Sequence, residues 1–109
     1  MNESMFDAQP PEKEELMNSL LKPLLEDFQY WFGRSRTLLE QEQLDFLEDG
    51  TQDNLLKRLK HAQQEVNTSS LLLQATEGQV GVEMSVLMEW HRLVAECWQI
   101  AMRHRMKTG

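Results

Sequence analysis

Of its 109 residues the chain has one cysteine, Cys97, so it closes no internal disulfide, and the position of that cysteine on an apolar helix face predicts a buried, unreactive thiol. Long apolar runs are missing as well. No stretch reaches the roughly 18 to 20 consecutive apolar residues that a membrane span needs, and the start, "MNESMFDAQPPEKEE", has neither a basic region nor an apolar one of the kind a secretory signal uses. Those two absences predict a cytoplasmic protein with no membrane span. Basic charge is scarce, with 11 Lys and Arg against 18 Asp and Glu, a formal net charge of −7. Binding to a nucleic-acid backbone draws on clustered cations, so nucleic acid is not an expected partner. The acids are unevenly spread: residues 1–53 carry a net −9 and residues 54–109 a net +2.

Catalytic and metal motifs are equally absent. The chain has no phosphate-cradling glycine loop, no G-x-S-x-G, no H-E-x-x-H and no C-x-x-C. Glu26, Asp27, Glu40, Glu42 and Asp45 fall where a solvated helix face or linker is expected, which favours a structural role over acid–base catalysis. No catalytic residue, cofactor or metal is assigned, and the chain reads as a non-enzyme.

What is present is helical periodicity. Strand-like alternation occurs nowhere, and the class is all-α. Residues 1–11 lack a pattern, end in Pro10-Pro11, and read as a disordered tail. Pro11 with Glu12, Glu14 and Glu15 suits a helix start. Met17, Leu21, Leu24, Phe28, Trp31, Ser35 and Leu38 then recur at spacings of four and three, and Leu25, Phe32 and Leu39 widen that seam. Pro23 interrupts the backbone but not the phase, which predicts a kinked long helix ahead of two separate ones. Gly50 breaks the pattern, with Asp49, Thr51 and Asp53 as plausible caps for a second helix whose seam is Leu55, Leu59, Ala62, Val66, Ser69 and Leu73. Gly78 is a natural left-handed stop. The expected architecture is an antiparallel three-helix bundle, coiled-coil-like, over Glu12 to Glu42, Thr51 to Ala75 and Val82 to Arg105. It forms a single domain over 12–106, with 107–109 frayed. Ala62, Ser69 and Ser70 are expected to make room for the tryptophans.

The segment "MEWHRLVAECWQIAMRHR", residues 88–105, concentrates two tryptophans, two histidines and the cysteine. Leu87, Trp90, Val94, Cys97, Ala101 and His104 form one seam there, and Met88, His91, Ala95, Trp98 and Met102 form a second, which implies two helical neighbours. At about 100° per residue, His91 and Cys97 point about 120° apart and His91 and His104 about 140° apart, so one helix cannot converge them on an ion. Phe28, Trp31, Phe32, Trp90, His91, Cys97 and Trp98 are therefore the candidate core or pocket. His91 between Trp90 and Trp98 reads as a hydrogen-bonded core residue, with a pH-sensitive contact as its sharper alternative. Tyr30 lies about 160° around the first helix from Phe28, on an outer face with Asp27 and Arg34, and those three form the candidate partner surface.

The segments "LLKPLLEDFQYWFGRSRTLLE", "AQQEV" and "GQVGVEMSVLMEWHRLVAECWQIAMRHR" resemble the small cyanobacterial proteins grouped as domain of unknown function 2605, from about Leu16 to Arg105. The resemblance implies a cyanobacterial cytosolic protein and brings no catalytic or ligand residues with it. The expected function is a non-enzymatic helical interaction module, an adaptor or assembly factor. An enzyme or cofactor binder using a pocket near His91 and Cys97 is the alternative. The partner is expected to be a protein. Off-seam Leu16, Leu20, Leu71, Leu72, Ile100 and Met106 are candidates for a contact patch that a twofold homodimer or a heterologous protein would cover.

Overall fold

The computed structural model describes the backbone of residues 2–108 and the side chains of residue 16 and residues 19–107. Three helices follow in order: α1, Asn2–Gln41; α2, Thr51–Ala75; and α3, Met84–Thr108. Among the described residues there is no strand. The molecule is a rod of 63 × 23 × 19 Å, and its length is that of α1, since 40 residues at about 1.5 Å each give about 60 Å.

The boundaries of α2 are those its periodicity predicts. α1 begins at Asn2 rather than Glu12, its backbone running through Pro10 and Pro11. The side chains of residues 1–15 lie outside those described, as does Met17, so the expectation of a loosely attached tail over 1–11 is not addressed. α1 continues as one helix through Pro23. Pro23 is exposed, so its ring meets no packed neighbour there. α3 starts at Met84, two residues past the expected Val82, and runs to Thr108.

The core is a line of apolar side chains from all three helices. α2 supplies Leu55, Leu59, Ala62, Val66 and Leu73, and Ser69 is half-buried. α1 supplies Leu21, Leu25, Phe28, Phe32 and Leu39; α3 supplies Trp90, Leu93, Val94 and Cys97. On α1 the buried line thus joins Leu21 and Phe28 of the expected seam to Leu25, Phe32 and Leu39, expected only to widen it, whereas Trp31, Ser35 and Leu38 are half-buried and Leu24 is exposed. The reason is rotational: α2 packs on the Gln29 and Arg36 side of α1, which turns Leu25 and Phe32 inward. Gln29 Nε2 donates to the Gln63 carbonyl (3.3 Å) and Arg36 to Gln63 Oε1 (3.0 Å).

Two connections fix the ends. The first is closed by Gln52, whose amide nitrogen donates to the carbonyls of Leu39 (2.9 Å) and Glu42 (2.7 Å) while its oxygen accepts from Leu44 N–H (3.0 Å). One side chain thereby satisfies carbonyls that the end of α1 leaves unpaired. The expected side-chain caps are not used: the residue before α2 is Gly50, at φ 82°, with no capping side chain. The second connection turns at Glu77 (φ 54°) and Gly78 (φ 91°), and Gly78 N–H reaches the Leu73 carbonyl (2.9 Å), so Gly78 fills the left-handed role expected of it.

Candidate functional site

The two seams of α3 have different fates. Trp90 is 2% exposed, with its ring edge-on to Phe28 (centroids 5.5 Å apart) and its Nε1–H donating to Glu65 (3.2 Å). Ala62 and Ser69 of α2 line clefts that Trp90 also borders, and Ser70 lines neither of them. Cys97 is buried, and desolvation pushes its thiol up to about 11 against a smaller opposing effect of the Ser35 hydrogen bond. A thiol held neutral in this way is a weak nucleophile.

The second seam is not covered. Met88, Trp98 and Met102 are about half exposed or more, and His91 is exposed. Of the core-or-pocket expectation, the core half is corrected for both His91 and Trp98, while Trp98 lines an open groove. The second neighbour exists, but it sits elsewhere. α2 packs on the opposite flank of the first seam, where Arg58 makes a two-pronged contact with Glu96 (3.1 and 2.9 Å) that raises the Arg58 pKa. There it covers Leu93, which the sequence seam omits. The pair remains solvent-accessible, so it adds registration more than stability. With α1 and α2 both on the inner side, Met88, His91, Trp98 and Met102 face out.

Burial separates the remaining candidates. Phe28 and Phe32 are core and stack at 5.8 Å. Trp31 is half-buried and lies edge-on to Trp98 (5.1 Å) on one side and Tyr30 (5.0 Å) on the other. Arg34 donates to the Tyr30 hydroxyl (3.0 Å). Asp27, Tyr30 and Arg34 are all exposed, as their outer-face placement predicts.

A groove of about 530 Å³ opens between α1 and α3, lined by Trp31, Arg34, Ser35, Leu38, Trp98 and Met102 among others. Half-exposed aromatic, thioether and aliphatic groups rimmed by arginine are what a protein-binding surface offers. The groove joins Arg34, named from the sequence as partner-facing, to Trp31 and Trp98, named as core or pocket. Leu20 and Leu24 extend the same α1 face, and Met84 and Met88 extend the same α3 face. His91 and Cys97 are not brought together, since one is exposed and the other buried. Among the described residues no three His, Cys, Asp or Glu side chains are grouped to hold a metal ion, and no helix is long and apolar enough to cross a membrane.

Two features escaped the sequence reading. Gln52 carried no signal because its acceptors are backbone atoms on another element. Phe46, in the first connection, lies under the Arg103 guanidinium (4.4 Å) and the Lys107 ammonium (5.4 Å), holding the end of α3.

Fold and surface together define an all-helical protein with three helices and an uncovered apolar face. Residues 11–106 match the family described as "Protein of unknown function (DUF2605)", and the chain belongs to that family. No curated protein and no solved structure matches the chain.

Proposed function

We propose that the protein is a non-enzymatic interaction module, an adaptor or assembly factor working in a cyanobacterial cytosol, and that the outer face shared by α1 and α3 is where its protein partner docks. The supporting observation is the second seam of α3: Met84, Met88, Trp98 and Met102, between 48 and 70% exposed, form a stripe along the helix. Scattered exposed apolar residues are ordinary on any protein, but several on one helix face, interrupted by His91 and lying beside an open groove, mark a surface that meets something. Methionine suits this work, because its flexible thioether adapts to the shape of what it touches.

Photo-crosslinking in the native host tests the reading. A photoreactive side chain at position 98 or 88 should trap a discrete product, and the same group at Lys57, on the exposed side of α2, should not. Equal trapping from both helices, or none from α3, would overturn it. The competing reading, a ligand or catalytic pocket near His91 and Cys97, loses support from their placement on different faces.

A further inference from the structure

We infer that the partner on the α1/α3 face is a second copy of the chain, related by a twofold axis that crosses α1 near Trp31. The inference rests on the docking surface just proposed and adds the identity of its occupant.

The first support is charge self-complementarity. Asp27 and Arg34 are both exposed, lie seven residues apart and so share one face of α1, two turns apart, with Trp31 between them. A twofold axis at the level of Tyr30 and Trp31 sets α1 antiparallel to the partner's α1. It places Asp27 opposite the partner's Arg34, and Arg34 opposite the partner's Asp27, so the one arrangement makes the pair twice. Among the described residues Asp27 has no ion-pair partner within the chain. The two charges cancel at the axis, and Arg105, which also lines the groove, adds positive charge to this face of a chain with formal charge −7.

The second support is size. Trp98 lies beside Trp31 and α3 ends at Thr108, so this axis overlaps α3 with its copy over about 30 Å, and two helices side by side are about 20 Å wide. Their shared face therefore offers roughly 600 Å² on each copy, about 1,200 Å² in total, the lower end of the range for specific interfaces. Its centre is aromatic and apolar, with Trp31, Trp98 and Met102 around the open groove, and Leu20 and Leu24 continue it along α1. Apolar centre and charged flank is the anatomy of a specific interface.

The test is light scattering of the purified chain over a dilution series, combined with charge reversal. The wild type should approach twice its single-chain mass of 12.8 kDa at tens of micromolar. Asp27→Arg and Arg34→Asp, each setting like charges face to face twice, should each weaken the dimer by about tenfold or more, and the double reversal should restore it. Met102→Glu, at an exposed site outside the core, should also dissociate the dimer while circular dichroism shows full helicity. A single-chain mass throughout the series would overturn the proposal, as would single reversals without effect or a double reversal that fails to restore association. A monomer that still yields a heavier crosslinked product from position 98 in the host would sink the twofold dimer and leave the docking surface standing. Loss of that crosslink would remove the surface itself.

Discussion

The two tryptophans of α3 stand eight residues apart on one amphipathic helix, yet Trp90 is 2% and Trp98 48% exposed. Trp90 is held by the other two helices at once, edge-on to Phe28 of α1 and hydrogen-bonded to Glu65 of α2. Trp98 touches one aromatic neighbour, Trp31, itself only half-buried. The contrast separates two uses of the same residue type. Inside, an indole fills space and satisfies its N–H; outside, an indole set edge-on against a second one builds a firm apolar surface. Spacing at fours and threes produces both faces, and the position of α2 decides which of them is covered.

The largest effects should come from the inner face. Trp90→Ala and Phe32→Ala, which empty buried space, should each cost about 3 to 5 kcal/mol in denaturant melts, whereas Trp98→Ala should cost about 1 kcal/mol, the scale of a single aromatic pair. Equal costs at Trp90 and Trp98 in a monomeric sample would erase the distinction. Next comes pH. The Cys97 thiol ionises near 9 when unfolded and at about 11 when buried, so between those values the folded state keeps a proton that the unfolded state releases. Stability is therefore unaffected below about pH 9 and falls as pH rises to about 11, by roughly 2 kcal/mol. Cys97→Ala should flatten that portion of the pH profile relative to wild type, and an unchanged slope would place the thiol nearer to water.

Smaller effects concern the connections and the outer surface. Gln52→Ala, which leaves Leu39, Glu42 and Leu44 without their shared partner, should cost about 1 to 2 kcal/mol. Hydrogen exchange should show the loss first at the end of α1. Tyr30→Ala should move stability by no more than about 0.5 kcal/mol, since the side chain is exposed. A larger cost would mean that the Tyr30–Arg34 contact contributes to the fold as well as to the surface.

How much of this was legible in the sequence differs by helix. α2 was read from one narrow seam, because its small and aliphatic residues leave a single direction to bury, and the structure buries that line. α1 presented a broad face, and periodicity reports the width of a face without its centre. Leu25 and Phe32, taken as the margin, are its middle, and Leu24 is exposed. On α3 the first seam was read correctly from Trp90 to Cys97, while the second was assigned to a neighbour that packs elsewhere. Periodicity marks apolar residues alike whether another helix of the chain or a separate molecule covers them, so His91 and Trp98 could not be told from core. The exposed outer face was legible at Asp27, Tyr30 and Arg34, where an aromatic lay outside the seam. It was not legible at Met88 and Met102, where apolar residues lay inside one.

The central claim is that the outer stripe of α3 is covered by another protein when the chain is at work. Hydroxyl-radical footprinting in intact host cells, compared with the purified chain at high dilution, tests it residue by residue. Met88, Trp98 and Met102 should be oxidised markedly more slowly in cells, with Leu71 and Leu72 on the exposed side of α2 serving as references whose reactivity does not change. Equal oxidation of the α3 stripe in both settings would contradict the account.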